Sequence, residues 1–296
     1  MMMTSPELLD STFYIAKGDR PKGLMAKFID ALPVKTRGAL TIEDCTDAYQ
    51  KSGYTTKIQY IFKNLTDKPV NWDYYIARHD AKGKKVLSLD EYETALLCKK
   101  ELITNPCTKD YFVGKRKVYY QIPIYFHTSY TDVDGMALPE VPSWSKCKGM
   151  LDLLVIDHEE KTIQIADLKT IARSAFDFPS SFIKYGYYIQ AWFYYHAVKE
   201  LIAGRAVSPA FSSTQLEFLA EYTVKPPLFI VVPKVEGSAI VFSLSQGDIE
   251  KVWTGTPNFE GVKDLLSRWQ FHNLTDQWEF PREVYMNNGT IPLKID

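Results

Sequence analysis

The chain has 296 residues, 46 % of them hydrophobic and 14 % aromatic, a length that allows one large domain or two small ones. Such a composition supplies a packed core and excludes a disordered or low-complexity chain. The formal net charge of −1 excludes a whole-chain attraction to nucleic acid, so any such affinity has to come from a local basic groove.

The N-terminal stretch has no basic segment and no apolar core, which argues against a signal peptide. Ser5-Pro6-Glu7 has the pattern of a helix start with proline at the first helical position. Thr41 to Gln50 reads as a short helix, and Thr55 to Leu65 as another with Ile58, Ile61, Phe62 and Leu65 on one face. The aromatic run Tyr74 to Ala77 reads as a strand. Ser88 then caps a helix from Leu89 to Ile103, with Asp90 and Glu91 in its first turn where the helix dipole favours them.

The pattern changes near Lys115. Val118, Tyr120, Ile122, Ile124 and Phe126 alternate as in a half-buried strand. Asp134-Gly135 is a turn signal, Lys146 to Ile156 a second strand, His158 to Lys161 a polar reversal, and Thr162 to Leu168 a third strand. After an irregular loop ending near Pro179, Phe182 to Leu201 reads as one long aromatic-rich helix. Strands follow at Leu228 to Val232 and Ala239 to Leu244, then helices from Asp248 and over Gly261 to Gln270. This order predicts an α/β (α+β) fold, a mixed central sheet flanked by helices. Residues 1–110 form a mostly helical N-terminal region, and 111–296 the core. No run reaches the ~18 apolar residues of a membrane helix, so no membrane partner is expected. Cys45, Cys98, Cys107 and Cys147 form no CxxC pair, so reduced thiols and no structural zinc are expected.

The chemistry is concentrated in Lys148-Gly-Met-Leu-Asp152 and Ile165-Ala-Asp167-Leu-Lys169. On adjacent antiparallel strands Asp152 and Asp167 meet at one end of the hairpin. Asp167 and Lys169, two apart, share a face. Two crowded carboxylates repel unless a cation lies between them, and hard oxygen ligands suit Mg²⁺ or Mn²⁺ rather than zinc. The Leu168 carbonyl is placed to complete the shell. Lys169 is placed to orient a water or to steady charge building on a phosphate. An Asp-x-Lys pair by itself is more often a surface ion pair. Its combination with Asp152 at hairpin spacing, at the end of an apolar strand, favours a site.

Together with Gln190 and Tyr194, these residues resemble the GxxD, (D/E)xK and QxxxY signatures of the RecB-like branch of the PD-(D/E)XK nucleases. Lys85 to Tyr92 and the tail with Trp269 and Trp278 also look like exodeoxyribonuclease VIII-like proteins, so the likeness covers roughly residues 85–280. It implies a restriction-endonuclease-like core. It further implies Asp152 and Asp167 as metal ligands, Lys169 as catalytic lysine, and Gln190 and Tyr194 on one helix face beside the active site and DNA. The sequence departs from the family in two places. The segment after Gly38 lacks a histidine, and Gln121 stands where many members have a glutamate; Glu140 is a candidate substitute ligand. No cysteine follows Cys147, so no iron–sulfur cluster is expected.

Lys146, Lys148, Arg173 and Lys184 are the candidate phosphate contacts, with Ser174, Ser180 and Ser181 as neutral ones. Each can equally be an ordinary solvated residue. The expected activity is Mg²⁺- or Mn²⁺-dependent exonuclease action on duplex DNA ends, in recombination or repair. The expected setting is a bacterial or phage-infected cytosol, with an annealing or recombination partner protein and a homo-oligomer around DNA. The alternatives are a degenerate nuclease fold kept as a DNA-binding or assembly module, and a structure-specific endonuclease.

Overall fold

The computed structural model describes residues 11–35, 40–114, 116–129, 144–235 and 237–290. The Ser5-Pro6 helix start, the Gly38 segment, the Asp134-Gly135 turn and Glu140 lie outside these residues. Two compact units divide at 101/102.

The N-terminal unit contains β1 (Phe13–Ile15), α1 (Gly23–Ala31), a 3-10 turn (Glu43–Cys45) running into α2 (Thr46–Ser52), α3 (Ile58–Asp67), α4 (Pro69–Asp80) and β2 (Lys85–Leu87). It also holds most of α5 (Leu89–Thr104). β1 and β2 pair in parallel. Helical spacing puts Met25, Phe28 and Ile29 of α1 and Ile61 and Leu65 of α3 into one core with Cys45 and Tyr75. Ser88 caps α5 as expected: its backbone N–H donates to Glu91 and its hydroxyl accepts from the Glu91 N–H. The strand expected at Tyr74 to Ala77 is instead part of α4. Pro69 starts this helix, and Asn71, Tyr74 and Tyr75 recur at helical spacing on its buried face. The β preference of two tyrosines gave way to that packing.

The C-terminal unit is built on a five-stranded mixed sheet in the order β3 (Lys117–Ser129), β4 (Trp144–Asp157), β5 (Thr162–Ile171), β6 (Thr223–Pro233), β7 (Ile240–Ser243). All neighbours are antiparallel except β5 and β6, which are parallel. A parallel neighbour needs a crossover, and this one carries α6 (Phe178–Lys184), α7 (Tyr187–Ile202) and α8 (Ser213–Leu219). The helices α9 (Gln246–Thr254), α10 (Val262–Thr275) and α11 (Arg282–Met286) follow the sheet. α7 lays Tyr195, Val198 and Leu201 on Ile122, Ile124, Leu154, Ile156, Ile163 and Ile165 of the sheet. β6 is buried on both faces from Pro227 to Pro233, as its unbroken apolar run requires.

Two departures from the expected pattern shape this unit. The single helix expected from Phe182 is two helices. Gly186 between them has a φ of +65°, a left-handed conformation that glycine adopts without a Cβ clash. The alternation of β3 is also not continuous. Tyr119 faces the same core as Ile122, Ile124 and Phe126, so the phase slips at Gln121, whose φ is +51°. Its partner strand slips at the matching place: Leu151 and Leu154 both face that core. Gln121 and Asp152 stand opposite each other at a gap in the β3–β4 ladder. Among the described residues no helix is long and apolar enough to cross a membrane.

Candidate active site

The β4–β5 ladder runs from Asp157↔Thr162 to Leu153↔Ala166 and stops one residue short of Asp152 and Asp167. Beyond that point the strands no longer exchange backbone bonds. The Leu168 N–H donates instead to Asp152 Oδ2 at 3.0 Å. A side-chain carboxylate has thus replaced a strand carbonyl, which brings Asp152 alongside the backbone between Asp167 and Lys169. A strand residue projects its N–H and C=O from the same edge, so the Leu168 carbonyl also faces this gap. Asp152 Oδ1 accepts from Gln121 Nε2 at 3.0 Å.

Asp167 and Lys169 continue the face of Ile163 and Ile165, which points toward α7. Asp167 is only 3 % exposed. Gln190 on α7 joins the two residues: its Nε2 donates to Asp167 Oδ1 at 2.9 Å, and its Oε1 accepts from Lys169 Nζ at 2.9 Å. This orientation of the amide is forced, because a lysine only donates and a carboxylate only accepts. The second Nε2 hydrogen goes to Tyr194 Oη, which in turn donates to the Met150 carbonyl at 2.7 Å. Tyr194 also rests its ring over Gly149, where a Cβ would lie 3.4 Å from the ring. One helical turn, from Gln190 to Tyr194, therefore ties α7 to both strands that carry the acids. Lys169 Nζ additionally lies 4.5 Å above the Tyr187 ring.

The electrostatics centre on Asp167. Burial pushes its carboxyl up to about 6, the Lys169 ammonium opposes the rise, and the Asp152 charge adds to it. Asp167 Oδ2 lies 2.5 Å from Lys169 Nζ, an ion pair without the angles of a directed hydrogen bond. Among the described residues, it is the buried side-chain oxygen that no hydrogen bond satisfies. In the ion-free chain the Lys169 ammonium offsets the charge of this oxygen; a hard oxygen donor beside Asp152 and a backbone carbonyl also suits Mg²⁺ or Mn²⁺. Among the described residues no third His, Cys, Asp or Glu joins the pair as a metal-holding group. Burial also pushes the Tyr194 phenol up. The Gln190 bond opposes this and the two aspartates add to it, so Tyr194 remains a donor to Met150.

The structure brings together Asp152, Asp167, Leu168, Lys169, Gln190 and Tyr194. It does not bring all the expected phosphate contacts to them. Arg173 and Lys184 line a cavity that Lys169 also lines. Lys146 and Lys148 are exposed on the opposite side of β4, since Cys147 and Gly149 take the α7 side. Sequence reasoning missed three participants. Gln121 counts there only as a missing acid, Tyr187 only as one ring of an aromatic-rich helix, and the Met150 carbonyl not at all. The glutamine interrupting an apolar alternation was the available signal for the first. A search against known protein families finds no match, and no curated protein is found to be similar to the chain.

Proposed function

We propose that the protein is a divalent-metal-dependent DNA nuclease that acts on strand ends. The carrying observation is the convergence of Asp152, Asp167 and Lys169 in one gap between two strands, locked from above by Gln190. In this reading Asp152, Asp167 and the Leu168 carbonyl hold a Mg²⁺ or Mn²⁺ ion. When bound, the ion neutralises charge on a phosphate and acidifies water. The chain's own residues do the rest. Lys169, held toward the gap by Gln190, presents its ammonium to a phosphate oxygen and steadies the charge that develops at phosphorus. Gln190 fixes the spacing of Lys169 and Asp167, and Tyr194 fixes Gln190, so both are positioning residues. Arg173 and Lys184 supply phosphate contacts on the Lys169 side. The substrate is DNA with ends, in recombination or repair in a bacterial cytosol, and an annealing protein is the fitting partner.

The test is the release of nucleotides from linear duplex DNA in Mn²⁺ by the parent and by Asp167→Asn and Lys169→Ala. Loss of release in both variants supports the reading. Unchanged digestion by either variant ends it. Closed circular DNA in the same assay separates an exonuclease, which leaves it intact, from an endonuclease.

A second reading, the same fold kept for DNA binding without turnover, is favoured by the neutral Gln121 amide facing Asp152 where an acid would add a ligand. Calorimetric titration with Mn²⁺ separates the two. Ion binding that is lost in Asp152→Asn supports the enzyme, and no ion binding by the parent supports the inactive module.

A further inference from the structure

Between the end of β5 and α6 lies a cavity of about 520 Å³. Its size falls in the range of small-molecule sites and well exceeds what a lone phosphate needs. Lys169, Arg173 and Lys184 line it against one acid, Asp177, in a chain whose total charge is −1. Of these cations, Lys169 is already held by Asp167 and Gln190, while Arg173 and Lys184 are uncommitted, unlike the arginines of two other cavities. In the cavity beside His158, Arg116 is paired with Asp157 at 3.0 Å. In the cavity of the N-terminal unit, Arg20 and Arg78 both reach Asp30. Arg173 and Lys184 make no ion pair with any described residue, and Lys184 only stands over the Tyr185 ring at 5.5 Å.

The lining has the parts that a nucleotide needs. Two cations without ion pairs and the hydroxyls of Ser180 and Ser181 suit a phosphate. Tyr185 lines the cavity with 61 % of its surface exposed, beside Lys184 and the tilted Tyr187 ring, and so offers aromatic surface against which a base can stack. Lys169 belongs to both this cavity and the aspartate pair, so the cavity directly adjoins the pair.

We propose that this cavity seats one unstacked nucleotide of the DNA strand, with its phosphate between Arg173 and Lys184 and its base on Tyr185. The inference rests on the nuclease reading of the adjoining pair. A nucleotide must leave its stack to enter, which is easiest at a frayed end. The cavity thereby selects ends and sets the released unit.

The test is calorimetric titration of the full chain, in EDTA, with 2′-deoxyadenosine 5′-monophosphate, inorganic phosphate and deoxyadenosine. The nucleotide is expected to bind more tightly than either fragment. The double change Arg173→Ala, Lys184→Ala is expected to weaken nucleotide binding at least about tenfold, the cost of losing hydrogen bonds to a charged group. Tyr185→Ala is expected to weaken nucleotide but not inorganic phosphate binding. No nucleotide binding by the parent overturns the proposal, and so does equal binding by the double variant. A chain that fails to bind the nucleotide yet digests DNA in Mn²⁺ overturns the cavity assignment alone. A chain that binds it through these residues yet never cuts DNA overturns the nuclease reading alone.

Discussion

The two aspartates of the candidate site are held in opposite ways. Asp167 is buried, is fixed by Gln190 on α7, is paired with the Lys169 ammonium and has its carboxyl pushed up to about 6. Asp152 sits at a break in the sheet, and both its oxygens are satisfied, one by an exposed glutamine and one by a backbone N–H. The helix side stores the electrostatic tension that a cation would relieve. The ribbon side sets where the second carboxylate points. Loss of either carboxylate or of Gln190 should therefore cost activity heavily, whereas changes in the ribbon around Asp152, such as at Gln121, should mostly move stability.

The largest effect is expected from Asp167→Asn, which keeps the shape and removes the charge. Mn²⁺-dependent nucleotide release should fall on the order of 10³-fold or more, as for other residues that act as part of a catalytic unit. A kinetic assay on linear duplex measures it, and a fall of less than tenfold would place the chemistry elsewhere.

Gln190→Ala should come next. It strips Asp167 Oδ1 of its partner and frees Lys169. Activity should drop about 10- to 100-fold, the usual cost of removing a residue that orients a ligand. Stability should drop by about 1–3 kcal/mol, because a buried acceptor is left unpaired. Tyr194→Phe loses one bond in the same chain and should cost about 1 kcal/mol in urea unfolding. Equal effects of the two changes would contradict the central place given to Gln190.

An effect on stability rather than on turnover is expected from pH. The folded carboxyl of Asp167 is raised from its ordinary value of 3.8 to about 6, so the folded state binds its proton more readily than the unfolded chain does. Its contribution in the ion-free protein is therefore most favourable below about pH 4, is lost as pH rises through about 6, and is level above that. The size is about 3 kcal/mol. The difference in unfolding free energy between parent and Asp167→Asn, followed from pH 4 to 8 in EDTA, isolates it. Mn²⁺ affinity should run the other way, falling by up to about tenfold per pH unit below about 6 as the proton competes.

The smallest effect is on the ribbon side. Gln121 pays for its left-handed backbone, a conformation that costs a non-glycine residue about 1–2 kcal/mol. Gln121→Ala keeps the strain and loses the bond to Asp152, whereas Gln121→Gly loses the bond and relieves the strain. The glycine variant should be about 1 kcal/mol more stable than the alanine variant in urea unfolding. The reverse order would mean that the slip at Gln121 is not a strained point.

Much of the C-terminal unit was legible because its strands carry regular apolar patterns. Ile163, Ile165, Asp167 and Lys169 alternate without interruption, so their common face could be read directly. The spacing of Gln190 and Tyr194 likewise put both on one helix face. What could not be read depends on single backbone turns. Gly186 splits a helix that the aromatic run from Phe182 to Leu201 otherwise continues, and Gln121 reverses a strand's facing without any change in composition. The helical state of Tyr74 to Ala77 was decided by a buried face that propensity does not encode. The short strands β1 and β2 pair with each other across a long stretch of sequence, and three residues apiece leave no periodic trace.

The most direct measurement is an anomalous diffraction map of crystals soaked in Mn²⁺. A peak within about 2.0–2.6 Å of oxygens from both Asp152 and Asp167 is expected, at the distances of hard-cation coordination. A map with no peak at the pair under saturating Mn²⁺, or with a peak on one carboxylate only while Lys169 keeps hold of Asp167, contradicts the shared ion site.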